Sequence, residues 1–241
     1  MIIFYLVAVA WADWHSYDKI LNNHVHDGLV DYQSLRSSQA LSAELIWLSK
    51  APIPKGNDAQ KAFWINTYNL ITLKLVVDNP NIQSLKELDN GNVWKTRTFK
   101  VANNILTLND IENEILRPMG DPRIHAAITC ASKSCPLLSN KMYSEQNLDQ
   151  QLNTASKHWI STNALLVSVD NIQLNPIFSW FSEDFTSYSV YCPKISKKKQ
   201  GALGFVLHFS SPEQQEELLL LLNEKPDINF FEYDWTLNNQ E

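Results

Sequence analysis

The segment at 59–79 is the feature that most constrains the fold of this chain. Its sequence, AQKAFWINTYNLITLKLVVDN, is apolar nearly all the way round a helix, with Asp58 as a plausible N-cap and Pro80 as a stop signal. A helix without a polar face is stable in water only when other elements cover it. We therefore expect a central, buried helix around which the rest of the chain packs.

Shorter patterned segments lie on both sides of this helix. Helical patterns and alternating, hairpin-like patterns are interspersed along the chain. The helical patterns lie at 14–22, 42–51, 108–117, 144–159 and 211–225, and the hairpins at 25–32, 93–108 and 165–175. This mixture predicts an α+β fold, a single compact domain with its central helix packed on antiparallel strands and hairpins. The basic run KISKKKQ at 194–200 is interpreted as a solvated loop.

The net charge and the apolar N-terminal segment bear on which classes of function the chain can have. The formal net charge is -6, which gives no reason to expect binding to nucleic acid or to an anionic membrane surface. Residues 1–12, MIIFYLVAVAWA, are apolar and end in small residues, as in a signal peptide, and are too short to span a bilayer. We expect their cleavage, export to the periplasm or the medium, and a mature domain at 13–241. An N-terminal core element is the alternative.

Three polar residues occupy helix faces that should be buried. Asn66 and Asn69 share a face of the central helix with apolar residues, and Glu112 shares the apolar face of the helix at 108–117. The carboxamides either tie the helix to neighbouring backbone or hold a catalytic group. A buried carboxylate needs a partner, and we expect Arg117, Arg123 or His125. That contact is either a structural ion pair or one that orients an imidazole.

The segment RIHAAITCASKSCPLL at 123–138 combines an apolar pattern with reactive groups. If 123–131 is a regular strand, Arg123 and His125 share one face and Cys130 lies on the other. Cys135 follows a turn and can fold back to either face. A helix beginning at Pro136 would lower the pKa of the Cys135 thiol through its free N–H groups.

Several motifs of the chain closely resemble one uncharacterised family. They are AFWINTYNLIT, LTLNDIENEILRP, DPRIHAAITCASKSCPLL, IFSWFSEDF and YDWTLN. In this order they resemble domain-of-unknown-function family 547, over a span from about Trp14 to Asn238. The resemblance implies no established reaction, although some relatives are joined to glutaredoxin-like or signalling domains, which keeps a thiol-related role open by analogy.

The resemblance also marks individual residues. Those that match the family pattern are Trp64, Asn66, Tyr68, Asn69, Glu112, Arg117, Arg123, His125, Cys130, Cys135, Pro136, Trp180, Asp184, Asp234 and Trp235. The Arg-x-His motif and the two following cysteines are its most characteristic part. His24, His26 and Cys192 do not match, which disfavours zinc binding by the two histidines and leaves Cys192 as the odd thiol.

Three functions remain in view. The first is a cysteine-dependent hydrolase or transferase acting on a peptide or amide, with Cys135 as nucleophile, His125 as base, Glu112 fixing the ring and Asn66 as a donor. Asn69, Arg123, Arg117, Tyr68 and Cys130 are then candidate binding residues. The second is a non-enzymatic module stapled by a Cys130–Cys135 disulfide. The third is a thiol redox protein, although its spacer differs from Cys-x-x-Cys. No cofactor or metal is indicated, and the expected partner is an unknown small-molecule or peptide ligand.

Overall fold

Helices dominate the part of the chain that a computed structural model describes, namely residues 14, 16–168, 171–189, 195–224 and 226–240. The α-helices are α1 (Tyr17–His24), α2 (Tyr32–Arg36), α3 (Ala40–Leu48), α4 (Asn57–Asp78), α5 (Val93–Thr96), α6 (Leu148–Thr162), α7 (Ile177–Trp180), α8 (Lys197–Phe209) and α9 (Pro212–Asn223). Asp110–Leu116 is π-helical. Segments of 3₁₀ helix lie at Leu85–Gly91, Arg117–Met119, Pro122–Ala126, Glu145–Asn147 and Asp184–Tyr188.

The strands are short and form small separate sheets. They are β1 (Val25–His26), β2 (Leu29–Val30), β3 (Thr98–Val101), β4 (Asn104–Thr107), β5 (Leu165–Ser168), β6 (Asn171–Leu174) and β7 (Asp227–Phe230). The three predicted hairpins are confirmed as the antiparallel pairs β1–β2, β3–β4 and β5–β6. The sequence patterns did not predict β7, which pairs with β6 in parallel.

The central helix is confirmed as α4. It is buried almost all the way round, and it ends two residues before Pro80 as predicted. It begins at Asn57, so Asp58 lies in the first turn and is not the N-cap. Its main neighbours are α2, α3 and the π-helical segment. The strands are too short to provide the layer beneath α4, but the α+β class is correct.

A second hydrophobic cluster forms around α6, α7 and α8. A Cβ on Gly204 of α8 would lie 1.6 Å from the carbonyl oxygen of Tyr188, so α8 and the 3₁₀ segment Asp184–Tyr188 touch backbone to backbone. The prediction of a loop at 194–200 is wrong, because α8 already begins at Lys197. No helix among the described residues is long and apolar enough to cross a bilayer.

The predicted strand at 123–131 is also wrong. Residues Pro122–Ala126 form a 3₁₀ helix, with Pro122 in its first turn and with the Asp121 side chain accepting a hydrogen bond from the Arg123 N–H at 3.1 Å. This is a helix-start arrangement, and it overrides the apolar alternation that follows. The faces assigned to His125 and Cys130 from strand geometry therefore do not apply.

Candidate functional site

Both family-matched cysteines line one small cavity of about 170 Å³. The carboxyl group of Glu112 and the phenol of Tyr68 face the same space. The lining is otherwise aromatic or aliphatic and comprises Trp94, Ile128, Ile177, Trp180, Phe181, Tyr233 and Trp235. We refer to this space as the dithiol cavity.

The loop at 130–135 folds back on itself and brings the two thiols together. The N–H of Cys135 donates to the Ser132 carbonyl at 3.1 Å, and the N–H of Cys130 donates to Cys135 Sγ at 2.8 Å. Ala131 adopts a φ of 60°, which is costly for a residue with a Cβ and is typical of functional sites. Cys130 and Cys135 are both free thiols, so the disulfide of the second hypothesis is absent from this structure.

The C-terminal segment at 231–240 holds this loop from one side. The N–H of Lys133 donates to the Thr236 carbonyl at 2.8 Å, and the N–H of Asn238 donates to the Ala131 carbonyl at 3.2 Å. Farther along the loop, the side chain of Asn163 donates to the Cys135 carbonyl at 2.7 Å. These contacts bring Tyr233 and Trp235 against the cysteines, although they are about a hundred positions away in the sequence.

The two asparagines of α4 tie this helix to neighbouring backbone, which is the structural alternative of the two roles considered for them. Asn69 donates to the Ala127 carbonyl and accepts from the Thr129 N–H, both at 2.9 Å. Asn66 makes the same pair of bonds to the backbone of Tyr143, at 2.8 and 2.9 Å. Asn69 therefore fixes the backbone that leads into Cys130. Asn66 is not among the residues that line the dithiol cavity.

The environment of Cys130 favours its thiolate. Ser132 Oγ and the Tyr233 hydroxyl each lie 3.1 Å from Cys130 Sγ, and Ser132 also donates to the Tyr233 oxygen at 3.1 Å. Burial by itself raises the pKa of the Cys130 thiol, but hydrogen bonds with Cys135, Ser132 and Tyr233 outweigh it and lower the pKa to about 7. Burial raises the pKa of Tyr233, so this hydroxyl keeps its proton and can donate it.

Cys135 behaves in the opposite way. Burial raises the pKa of its thiol well above the ordinary value, and the hydrogen bond with Cys130 raises it further. No helix begins at Pro136, so the expected lowering of the Cys135 pKa by helix N–H groups is wrong. Of the two thiols, Cys130 is thus the more acidic, and Cys135 keeps its proton and can donate a hydrogen bond to it.

Glu112 reaches the cavity without a directly bonded cation. Its Oε2 accepts a hydrogen bond from the Tyr68 hydroxyl at 3.1 Å. Burial raises the pKa of Glu112, and the nearby His125 and the Tyr68 hydrogen bond offset this only in part. The prediction that Glu112 directly contacts Arg117, Arg123 or His125 is wrong, because among the described residues its carboxyl group forms no hydrogen bond or ion pair with any of the three. Arg117 and His125 instead share a different carboxylate.

That carboxylate belongs to Asp184. Arg117 binds it through a two-pronged contact, with Nε to Oδ2 at 2.7 Å and Nη2 to Oδ1 at 2.9 Å, and His125 Nε2 lies 2.7 Å from Oδ2. The His125 ring stacks on Phe181 at a centroid distance of 4.3 Å. Burial alone would raise the pKa of Asp184, but hydrogen bonds with His125 and Arg117 hold it well below its ordinary range. His125 is therefore engaged beside the cavity, and it is not among the residues that line it.

Arg123 lies in a separate ionic network. It binds Asp121 through Nε at 3.0 Å and Nη2 at 2.9 Å, and Asp149 through Nη1 at 2.7 Å. Lys61 contacts Asp121 at 2.8 Å. This network braces α4 and α6 around the 3₁₀ helix, and Arg123 is not part of the cavity lining.

Aromatic side chains form one wall of the dithiol cavity. Trp180 and Trp235 are stacked at 5.6 Å with 17° between their planes, Tyr233 lies within 5 Å of both rings, and Trp94 meets Trp235 at 5.9 Å. Trp180 remains 50% exposed. The wall therefore presents apolar surface to solvent directly beside a reactive thiol.

Metal ligation has little support in the described part of the chain, where no group of three His, Cys, Asp or Glu residues is placed to hold an ion. His24 and His26 do not share a strand face, because His24 ends α1 and His26 lies in β1. Cys192 and residues 1–12 lie outside the described residues.

Sequence reasoning missed two residues that contact the Cys130 thiol, Ser132 and Tyr233. The signal for Ser132 was its place inside the cysteine loop, and the signal for Tyr233 was its position directly before the family-matched Asp234 and Trp235. Asp184 was matched through the family resemblance, but its two partners were not foreseen.

A comparison with known protein families finds one family whose model matches part of the chain. Residues 55–160 match the model of the family described as "Protein of unknown function, DUF547". The matched segment covers less than half of the chain. The match confirms the resemblance but does not extend from Trp14 to Asn238. No curated protein and no solved structure matches the chain. The DUF547 segment contains both cysteines, Glu112 and His125, whereas Trp180, Asp184 and Tyr233 lie beyond it.

Proposed function

We propose that this protein carries out thiol–disulfide exchange, with Cys130 as the attacking thiol and Cys135 as the resolving thiol. The observation that carries the proposal is the pairing of two free thiols with opposite pKa shifts in one cavity. A thiol with a pKa near the ambient pH is the most effective attacking group in this chemistry. The fold-back of the loop offsets the unusual spacing, because it places Cys135 Sγ 2.8 Å from the Cys130 N–H and within hydrogen-bonding reach of the Cys130 thiol, despite the four residues between them.

The reaction has two balanced steps. The Cys130 thiolate attacks one sulfur of a substrate disulfide, forms a mixed disulfide and releases the other sulfur as a thiolate. Cys135 then gives up its proton and attacks Cys130 Sγ, which forms the Cys130–Cys135 disulfide and releases the second substrate thiolate. The protein dithiol is oxidised by two electrons and the substrate disulfide is reduced to two thiols. A dithiol reductant reverses the change in the protein.

Glu112 is suited to accept the Cys135 proton. It faces the same cavity, and burial raises its pKa above the ordinary carboxyl value, closer to the range in which thiols exchange protons. Tyr68 holds the carboxyl group in place. The proton that leaves Cys135 then moves to a fixed group inside the cavity and not to bulk water.

Acyl transfer to a cysteine is the second candidate. It is supported by the lowered pKa of Cys130 and by the phenol hydroxyls of Tyr68 and Tyr233, which could donate to an oxyanion. It requires Cys130 as nucleophile in place of Cys135. It also requires an acid–base group next to the thiol. The His125 imidazole does not fill this role here, because it is hydrogen-bonded to Asp184 and does not line the cavity.

Trapping with hydroxyethyl disulfide, a small neutral disulfide, tests the main proposal. In the wild-type protein we expect both substrate halves to be released and a Cys130–Cys135 linkage to form. Cys135→Ser should retain one half as an adduct on Cys130, and Cys130→Ser should form no adduct within the cavity. An unresolved adduct on Cys130 in the wild-type protein would reject the role of Cys135 and favour a single-cysteine mechanism.

The signal-like residues 1–12 support a further proposal, export to an extracytoplasmic compartment with a mature chain that begins near Asp13. Disulfide substrates are abundant in such compartments. N-terminal sequencing of protein from its native host tests this, and a sequence that begins at Met1 would reject it.

A further inference from the structure

We infer that the dithiol cavity selects polypeptide disulfides in which a large apolar or aromatic side chain adjoins the cysteine. This inference rests on the proposed thiol–disulfide exchange and names its substrate class. Its basis is the position of the aromatic wall, which lies beside the attacking sulfur and leaves Trp180 half exposed.

The size of the cavity fits one side chain of a larger substrate. Its volume of about 170 Å³ is well below the roughly 300 Å³ at which pockets for drug-sized ligands begin. A polypeptide can place one side chain in this space while the remainder stays outside. The exposed ring of Trp180 then offers a surface beside the entrance on which the same substrate can pack.

The rings of the wall pack against one another and against the attacking sulfur. Trp180 stacks on Trp235, Tyr233 packs against both rings, and the Tyr233 hydroxyl lies 3.1 Å from Cys130 Sγ. One cluster of rings therefore touches both the attacking sulfur and the solvent. A substrate side chain that packs on the wall is thereby brought close to Cys130.

The charges in the cavity disfavour an acidic substrate. The ionisable groups that line it are Glu112, the two thiols and two tyrosines, all of which are neutral or negative. Arg117, which lies over the Phe181 ring, is paired with Asp184. Lys86 is a cation at the outer part of this region, 4.5 Å from the centroid of the Trp235 ring. Glutathione disulfide carries several carboxylates, and its approach to the Cys130 thiolate would meet like charge.

Three disulfides separate these effects when they react with the Cys135→Ser variant, which stops at the mixed disulfide. The probes are the symmetrical disulfides of N-acetyl-cysteinyl-phenylalanine amide and N-acetyl-cysteinyl-serine amide, and glutathione disulfide. The second-order rate of adduct formation on Cys130 is measured by mass spectrometry. We expect the phenylalanine probe to react about tenfold faster than the serine probe, as burial of part of one aromatic ring implies. Glutathione disulfide should be the slowest of the three.

Variants of the wall connect this preference to Trp180. Adding Trp180→Ala should abolish the difference between the phenylalanine and serine probes, and Trp180→Phe should restore part of it. Leu220→Ala, which removes an exposed apolar side chain of α9 that does not line the cavity, should leave it unchanged. Equal rates for all three probes, or a preference for glutathione disulfide, would overturn the inference while leaving the exchange reaction intact. Absence of any adduct on Cys130 would overturn both.

Discussion

The Asn69 carboxamide and the Thr129 N–H are joined by a 2.9 Å hydrogen bond, and the same carboxamide donates to the Ala127 carbonyl at 2.9 Å. The central helix thus completes the hydrogen bonding of the backbone just before Cys130. Both backbone groups are buried and would otherwise lack these partners.

Asn69→Ala should lower the free energy of unfolding by about 3 kcal/mol, because it removes two hydrogen bonds and leaves two buried backbone groups without them. It should also shift the pKa of Cys130, since the cysteine loop loses its anchor. Asn66→Ala is the matched control, with the same pair of bonds to Tyr143. Denaturant unfolding should show a similar loss of stability, while the pH profile of Cys130 alkylation stays as in the wild type. A shift of that profile in both variants would argue against a specific role for Asn69.

Tyr233→Phe should raise the pKa of Cys130. The substitution removes a hydroxyl 3.1 Å from the sulfur, and a hydrogen bond to a charged group is worth about 1.5 to 3 kcal/mol, which corresponds to a shift of roughly one unit or more. The measurement is the rate of iodoacetamide labelling of Cys130 as a function of pH, by peptide mapping. Tyr143→Phe removes a buried phenol outside the dithiol cavity and should leave the midpoint near 7. An unchanged midpoint in Tyr233→Phe would contradict the account of the thiolate.

Glu112→Gln should gain stability relative to the wild type as the pH rises. Burial raises the pKa of Glu112 in the folded protein, so the unfolded chain loses this proton first, near its ordinary pKa of about 4.3. The stability contributed by the protonated carboxyl is complete below that value and is lost as the pH rises through the folded pKa. The substituted carboxamide does not titrate and can still accept a hydrogen bond from Tyr68. Unfolding curves at about pH 4 and about pH 8 test this, and a pH-independent difference would contradict it.

The same variant separates the two exchange steps. Glu112→Gln should leave the formation of the mixed disulfide on Cys130 nearly unchanged and slow its resolution by Cys135, because the proton acceptor is gone. Glu112→Asp should restore part of the second step. Rapid acid quenching followed by mass mapping resolves the two steps. Equal rates of resolution in wild type and Glu112→Gln would exclude Glu112 as the acceptor.

Asp184→Asn should destabilise the protein by about 2 to 4 kcal/mol at neutral pH, because it leaves Arg117 and His125 without their shared carboxylate. The depressed pKa of Asp184 means that its contribution is present above the ordinary carboxyl pKa of about 3.9 and is lost as the pH falls through the lower, folded value. The difference from the wild type, measured by denaturant unfolding, should therefore shrink below about pH 4.

An exposed pair provides the control for this prediction. Asp89 and Arg97 make the same two-pronged contact, at 2.7 and 2.8 Å, on the solvent-exposed surface. Asp89→Asn should change stability far less, because solvent screens exposed pairs. Equal losses of unfolding free energy in the two variants would contradict the prediction that Asp184 stabilises the fold more than an exposed carboxylate does.

Local sequence signals were sufficient for much of the fold. The apolar helix α4 and the three hairpins depend on neighbouring residues, and they lie where their patterns predicted them, apart from the first turn of α4. The prediction of a strand at 123–131 was wrong because it gave the apolar alternation more weight than the helix-start signal of Asp121 and Pro122. That signal was also local and was available in the sequence.

The site was less predictable because its contacts are distant in the sequence. The cysteines, Glu112 and Tyr68 were identified as candidates, but nothing in the local pattern pairs Cys130 with Tyr233 or Arg117 with Asp184. The sequence also predicted the lowered pKa for the wrong thiol, Cys135, whereas the structure gives it to Cys130. Its pKa depends on the loop geometry and on hydrogen bonds from the C-terminal segment, neither of which has a local sequence signature.

A redox titration tests the central claim, that Cys130 and Cys135 form a reversible dithiol–disulfide pair. The full-length protein is equilibrated in buffers of increasing ratio of oxidised to reduced dithiothreitol, quenched with acid, alkylated and mapped by mass spectrometry. We predict one reversible two-electron transition, with the ratio of linked to free peptides changing tenfold per roughly 30 mV. In every sample the two cysteines should be either both alkylated or joined to each other. Cysteines that remain separately alkylated at every ratio, or a disulfide that once formed does not return to the dithiol, would contradict the account.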